Sequence, residues 1–137
     1  LTTEGTPRIL VIDDERLYCQ AIAEILATRG YDAQTAHSAH AGLQAIERYH
    51  PHVVIADVMM PDMDGISLLR EAIALSNGHH PAWVVCSAKV SAYDRANALQ
   101  AGADAFLAKP FSLQDLVRTV ASVLAQHAPQ LATPLAG

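Results

Sequence analysis

Cysteine is scarce in this chain, with two in 137 residues and no CxxC spacing, which excludes a disulfide framework and a thiolate metal cage. Cys19 falls in an expected helix and Cys86 in an expected strand, so both read as small buried thiols in a reducing compartment. Positive charge is also short. Nine Lys and Arg stand against fourteen Asp and Glu, a formal charge of -5, and no row of cations is available to line a nucleic-acid groove. No apolar run approaches the length of a membrane span, and the first eight residues, LTTEGTPR, lack the basic-then-apolar order of a signal peptide. The expectation is a soluble cytoplasmic protein that meets other proteins or a small anion, with no membrane contact. Solenoid repeats, long low-complexity tracts and a second domain are also absent from the pattern.

What is present is apolar matter, 51% of the chain, enough for one domain with a real core. Short runs, RILVI (8–12), DAQTA (32–36), VVIA (53–56), AWVVC (82–86) and AFLA (105–108), alternate with segments of helical period. That alternation predicts an α/β fold, a five-stranded parallel sheet doubly wound by helices on both faces. The helical stripes run through Leu17, Ala21, Ile22, Ile25 and Leu26, through Gly42, Ala45, Ile46 and Tyr49, and through Ile66, Leu69 and Ile73. The last helix carries Leu113, Leu116, Val117, Val120 and Leu124 behind a capping box of Ser112 and Asp115. Ser91 and Asp94 repeat that box before an Ala-rich fourth helix whose only large apolar residues are Tyr93 and Leu99, which makes it the least firmly held element. Gly30 and Gly102 sit where helices should stop. The boundaries expected are an extension over 1–7, a domain over 8–125 and a tail or linker start over 126–137.

In a parallel sheet the carboxyl ends of the strands share one edge, where ligands bind. Asp13 and Asp14 follow the first strand, Asp57 the third, Ser87 the fourth, and Lys109 with Pro110 the fifth. Singly, each has a plain structural explanation: a helix cap, a turn residue, a solvated strand end. Asp57 resists it most, because it ends a run of four apolar residues and no helix starts directly after it. Three carboxylates beside one ammonium call for a cation, and a donor set of hard oxygens without His or Cys points to Mg²⁺.

The set DD, then D followed by MPDMDG, then SA, then KPF resembles the receiver domain of two-component response regulators over roughly residues 7–125. The resemblance implies the flavodoxin-like strand order 2-1-3-4-5. It implies that Asp57 accepts a phosphoryl group, that Asp13, Asp14, Asp57 and the backbone carbonyl of Met59 hold Mg²⁺, and that Ser87 and Lys109 bind the phosphoryl group. Phe106 matches the switch aromatic that responds together with Ser87, and the Lys109–Pro110 peptide is expected to be cis. Met59 and Lys89 match positions that tune the lifetime of the phosphorylated state, Met59 being apolar where a polar side chain could orient a hydrolytic water. The implied donor is a sensor histidine kinase or a histidine phosphotransfer domain. The implied output is a change in the surface of the fourth helix, fifth strand and fifth helix, through which a partner, a fused domain or a second copy is contacted.

A Mg²⁺-dependent phosphatase with an Asp nucleophile is the enzyme alternative, but VMMPD after Asp57 lacks the second Asp that such an enzyme places two positions on for acid catalysis. A flavin module fails on the first loop, DDERL, which is acidic where a cofactor phosphate would sit. The expectation is therefore a phosphoacceptor switch rather than an enzyme. The seven His residues have no metal-like spacing and read as surface groups, and the NGHHP loop (77–81) has no functional account. Leu1 in place of Met is read as the start of a piece of something longer.

Overall fold

The computed structural model describes residues 5–76, 80–88 and 91–131. Five strands, β1 (Arg8–Ile12), β2 (Asp32–Ala36), β3 (Val53–Asp57), β4 (Ala82–Ser87) and β5 (Ala105–Ala108), alternate with five helices, α1 (Arg16–Thr28), α2 (Ala39–Tyr49), α3 (Gly65–Leu75), α4 (Ala92–Ala101) and α5 (Leu113–His127). The strands are all parallel and ordered β2-β1-β3-β4-β5, the doubly wound arrangement that the alternation and the resemblance led one to expect. The order reverses between β1 and β3. That is where Asp13, Asp14 and Asp57 gather.

The three inner strands are apolar along nearly their whole length because helices cover both faces. Alternate residues therefore serve two separate cores. Ile9, Val11, Val53, Ile55, Val84 and Cys86 pack beneath α1 and α5, against Cys19, Ile22, Leu26, Leu116, Val120 and Leu124. Leu10, Ile12, Val54, Ala56, Trp83 and Val85 face the other way, toward Leu68 and Leu69 of α3, Ala45 of α2 and Ala98 of α4. The chain continues past α5 into a turn, Pro129–Leu131, that places Leu131 in the first core.

Some helical stripes lie differently from the sequence pattern. Leu17 is 83% exposed, since the buried face of α1 runs through Cys19, Ile22 and Leu26, and Leu17 lies two residues, or about 200°, round the helix from Cys19. Ile73 and Leu113 are also exposed, at the rim of their helices, while Leu68 and Val123 take buried places that the pattern had not singled out. Leucine alone does not say which way a helix is turned.

The caps match their residue types. Ser91 and Ser112 accept the N–H groups of Asp94 and Asp115 through their hydroxyls, and Gly102 closes α4 in the left-handed conformation at φ 120°. Gly30, next after the end of α1, has φ 91°. An unexpected left-handed residue is His50, at φ 53°, which ends α2 before Pro51. Its carbonyl accepts from the Arg8 guanidinium at 2.8 and 3.0 Å, so the first residue of β1 fastens the negative end of α2.

Candidate functional site

Every chemical group singled out at the strand ends is brought to one edge of the sheet, except that Lys89 lies outside the described residues. β3 ends on Asp57 itself, beside Cys86 in the register of β4, so the carboxylate emerges from the most enclosed strand and is buried. Asp13 follows β1, also buried, with its backbone N–H bonded to the carbonyl of Ala36 at 3.0 Å. Lys109 follows β5, its N–H bonded to the carbonyl of Ser87 at 2.8 Å, so the ends of β4 and β5 are locked together as the lysine turns inward. The Lys109–Pro110 peptide is cis.

The Lys109 ammonium sits 3.0 Å from Asp13 Oδ2 and 3.2 Å from Asp57 Oδ1. Asp13 Oδ1 accepts the N–H of Glu15 at 3.0 Å, which orients the carboxylate before α1 begins. Asp14 is exposed, and one carboxylate oxygen from each of Asp13, Asp14 and Asp57 lies within 4.8 Å of the others. Among the described residues this is the one cluster of three acidic, His or Cys side chains close enough to share a metal ion. Three carboxylates and one ammonium leave two negative charges in excess. The donors are all hard oxygens, and Asp14 keeps one side open to solvent, so the cluster fits a hydrated divalent cation.

Burial pushes the Asp57 carboxyl above its ordinary range; Lys109 opposes this, and the nearby Asp13 charge reinforces it. Lys109 is affected the other way in sum: burial disfavours its charge, but the hydrogen bond to Asp13 and the two carboxylates hold the ammonium well above its usual range. The two directions agree, because the lysine has two anionic partners while Asp57 shares its single cation with Asp13.

The loop after Asp57 is shaped by residues whose purpose the sequence left unstated. The Val58 N–H bonds to the carbonyl of Cys86 at 2.9 Å, and the Val58 carbonyl accepts from Gly65 at 2.9 Å, which draws the loop into a closed turn. A Cβ at Gly65 would overlap the backbone carbonyl of Asp57, so only glycine lets α3 start this close to the acceptor strand. Asp64 caps α3 through Ser67, at 2.8 Å. Asp62 reaches across to α2 and accepts the N–H groups of Ala39 and His40 at 3.2 and 3.0 Å. The two extra acids of MPDMDG thus bind helix starts rather than a metal.

Ser87 ends β4 and is buried at the same edge. Phe106, half-buried in β5, packs against the second core with the Arg95 guanidinium 5.0 Å above its ring. Met59 is exposed. A further aromatic, Tyr18 of α1, stands 4.6 Å from the Lys109 ammonium, measured to the ring centroid. Helical spacing alone makes it look like packing. Trp83 is buried, and its backbone N–H donates to the Asp104 carboxylate at 2.8 Å, so it anchors the start of β4 as its position suggests.

Comparisons with known proteins agree on one kind of module. Residues 9–121 match the family model described as response regulator receiver domain. The transcriptional regulatory protein TrcR of Mycobacterium tuberculosis is 33% identical over 122 residues, covering 88% of this chain and 47% of that protein. The response regulator MprA of Mycobacterium avium is 34% identical over 123 residues, covering 90% of this chain and 53% of that protein. The chain thus spans about half the length of the curated relatives it matches. A crystal structure of a CheY-like response regulator receiver domain protein from Methanospirillum hungatei superposes with a TM-score of 0.83 at 30% identity, covering 91% of this chain and 98% of that one.

Proposed function

Because the chain belongs to the response regulator receiver family, a signalling module rather than a classical enzyme, we propose that Asp57 is the phosphoacceptor of a two-component system. The observation that carries this is the placement of one buried carboxylate at a sheet edge, 3.2 Å from a lysine and within reach of two further acids. A carboxylate oxygen of Asp57 forms the new O–P bond as the P–N bond of a phosphohistidine breaks, the electron pair leaving with the imidazole nitrogen. The donor is a sensor histidine kinase or a histidine phosphotransfer domain.

Lys109 faces the incoming charge and offsets it, and the Ser87 hydroxyl donates a hydrogen bond to a phosphoryl oxygen. Asp13, Asp14, Asp57 and the carbonyl of Met59 are the residues to hold Mg²⁺, which when bound neutralises the remaining excess charge. Phosphorylation puts roughly two negative charges at the end of β3. Ser87 is then drawn toward them, and Phe106 turns into the space vacated, leaving its place under Arg95 and reshaping the surface of α4, β5 and α5. That surface is the contact for an output partner, a fused domain or a second copy. Met59 and Lys89 set the lifetime of the acyl phosphate through water access. The domain over 8–125 is the working unit, and its setting is the cytoplasm.

Incubation with radiolabelled acetyl phosphate and Mg²⁺ should label the protein and leave Asp57→Asn unlabelled. Equal incorporation in both would remove Asp57 from this role.

A further inference from the structure

The Lys109 ammonium has three N–H donors. Two sides of it meet Asp13 and Asp57. Another meets the face of Tyr18, 4.6 Å from the ring centroid and inside the distance of about 6 Å over which an aromatic quadrupole attracts a cation. The ring is itself braced. Phe111, the residue after Pro110, lies 6.3 Å from it, centroid to centroid, tilted by 58°. The turn that carries Lys109 inward therefore also supports the ring against which its ammonium rests.

A neighbouring cleft gives this contact its use. A cleft of about 220 Å³ opens beside Lys109, lined by Glu15, Tyr18, Ala88, Lys109 and Pro110. Glu15, an acid, is one of its lining residues, and the four-carbon stem of lysine is long and flexible enough to sample such a space. An aliphatic side chain at position 18 would leave that route open without attracting the ammonium. A carboxylate there would bind the ammonium strongly and add a fourth negative charge to a site already in excess. A neutral ring attracts the cation moderately and lets it shift toward a third charged oxygen when one arrives.

We propose that Tyr18 is a positioning residue for phosphoryl transfer, its ring face holding the Lys109 ammonium over the acidic edge and away from the cleft. This rests on the phosphoacceptor role of Asp57, and the test separates the two. Nuclear magnetic resonance of the full chain should find the Lys109 Cε protons shifted upfield by the ring current in the native protein and in Tyr18→Phe, and unshifted in Tyr18→Leu. With saturating acetyl phosphate and Mg²⁺, Tyr18→Leu should be labelled about three- to ten-fold more slowly than native, and Tyr18→Phe within about two-fold of native. Thermal unfolding checks that the Leu variant is folded; Tyr18→Met, also flexible and apolar, replaces it if it is not. Equal labelling rates in the Phe and aliphatic variants, or unshifted Lys109 protons in the native protein, would overturn the assignment of Tyr18. Ring-shifted Lys109 protons in a native protein that takes up no phosphoryl group would instead overturn the acceptor role of Asp57.

Discussion

Among single residues, Asp14 and Gly65 show how differently two positions support one carboxylate. Asp14 is exposed and touches the site only through its charge and its oxygen. Asp14→Ala should therefore weaken Mg²⁺ binding at least ten-fold, on the order of 1.4 kcal/mol or more, with little change in unfolding midpoint. Titration calorimetry with the metal alone measures this, and an unchanged affinity would take Asp14 out of the metal site. Gly65→Ala acts by volume, since the added carbon meets the Asp57 carbonyl in a region with no slack. It should cost about 1–3 kcal/mol in urea unfolding and also slow labelling of Asp57, because the strand end must move to relieve the overlap. Asp13, Asp57, Ser87 and Lys109 could be read from the chain because a polar residue closing an apolar run stands out. Tyr18 and Asp62 could not, because their partners lie 91 and more than 20 residues away, and nothing local marks a ring that meets an ammonium or an acid that caps a distant helix.

Secondary-structure elements differ in how their ends are secured. α2 begins with Ser38 accepting from Ala41 at 3.0 Å and with Asp62 accepting two further N–H groups from the neighbouring loop. The N–H groups of His40 and Ala39 hold the Asp62 carboxyl below its ordinary range. A carboxyl with a lowered folded-state value stabilises the fold fully above the unfolded value, about 3.9, and loses that contribution as pH falls through the lower folded value. Asp62→Ala should thus be less stable than native at neutral pH, by an amount that solvent screening keeps small, and the gap should narrow only below about pH 4. Thermal unfolding across pH 2–7 measures it; a gap that stayed constant down to pH 2 would mean that the charge contributes nothing. The three inner strands were legible at almost every residue, since burial on both faces writes a continuous apolar run, whereas β2 and β5 at the sheet edges are only partly buried. Helix orientation was less so: with Leu17, Ile73 and Leu113 outward, the periodic pattern tells that a helix forms but leaves its rotation to packing. The αL end of α2 was not legible either, because His50 is held by Arg8 from 42 residues away.

For the molecule as a whole, the sheet is a partition. Ile9 and Ile12 lie on the same strand, but Ile9 belongs to the core under α1 and α5, and Ile12 to the core under α2, α3 and α4. Ile9→Val and Ile12→Val should each cost about 0.5–1.5 kcal/mol, and the double variant should equal their sum within about 0.5 kcal/mol. A larger coupling in urea unfolding would show that packing changes cross the sheet. The division also orders the birth of the protein. The first core takes Leu116, Val120, Val123 and Leu124 from α5, and then Leu131 from the turn that follows it. A ribosome adding roughly 5–20 residues per second needs about 1–3 seconds to make a helix of 15 residues. Until α5 is in place that face of the sheet is covered by α1 alone, so the nascent domain shows apolar surface over β3, β4 and β5, and a pause within α5 would lengthen the time in which a chaperone is needed.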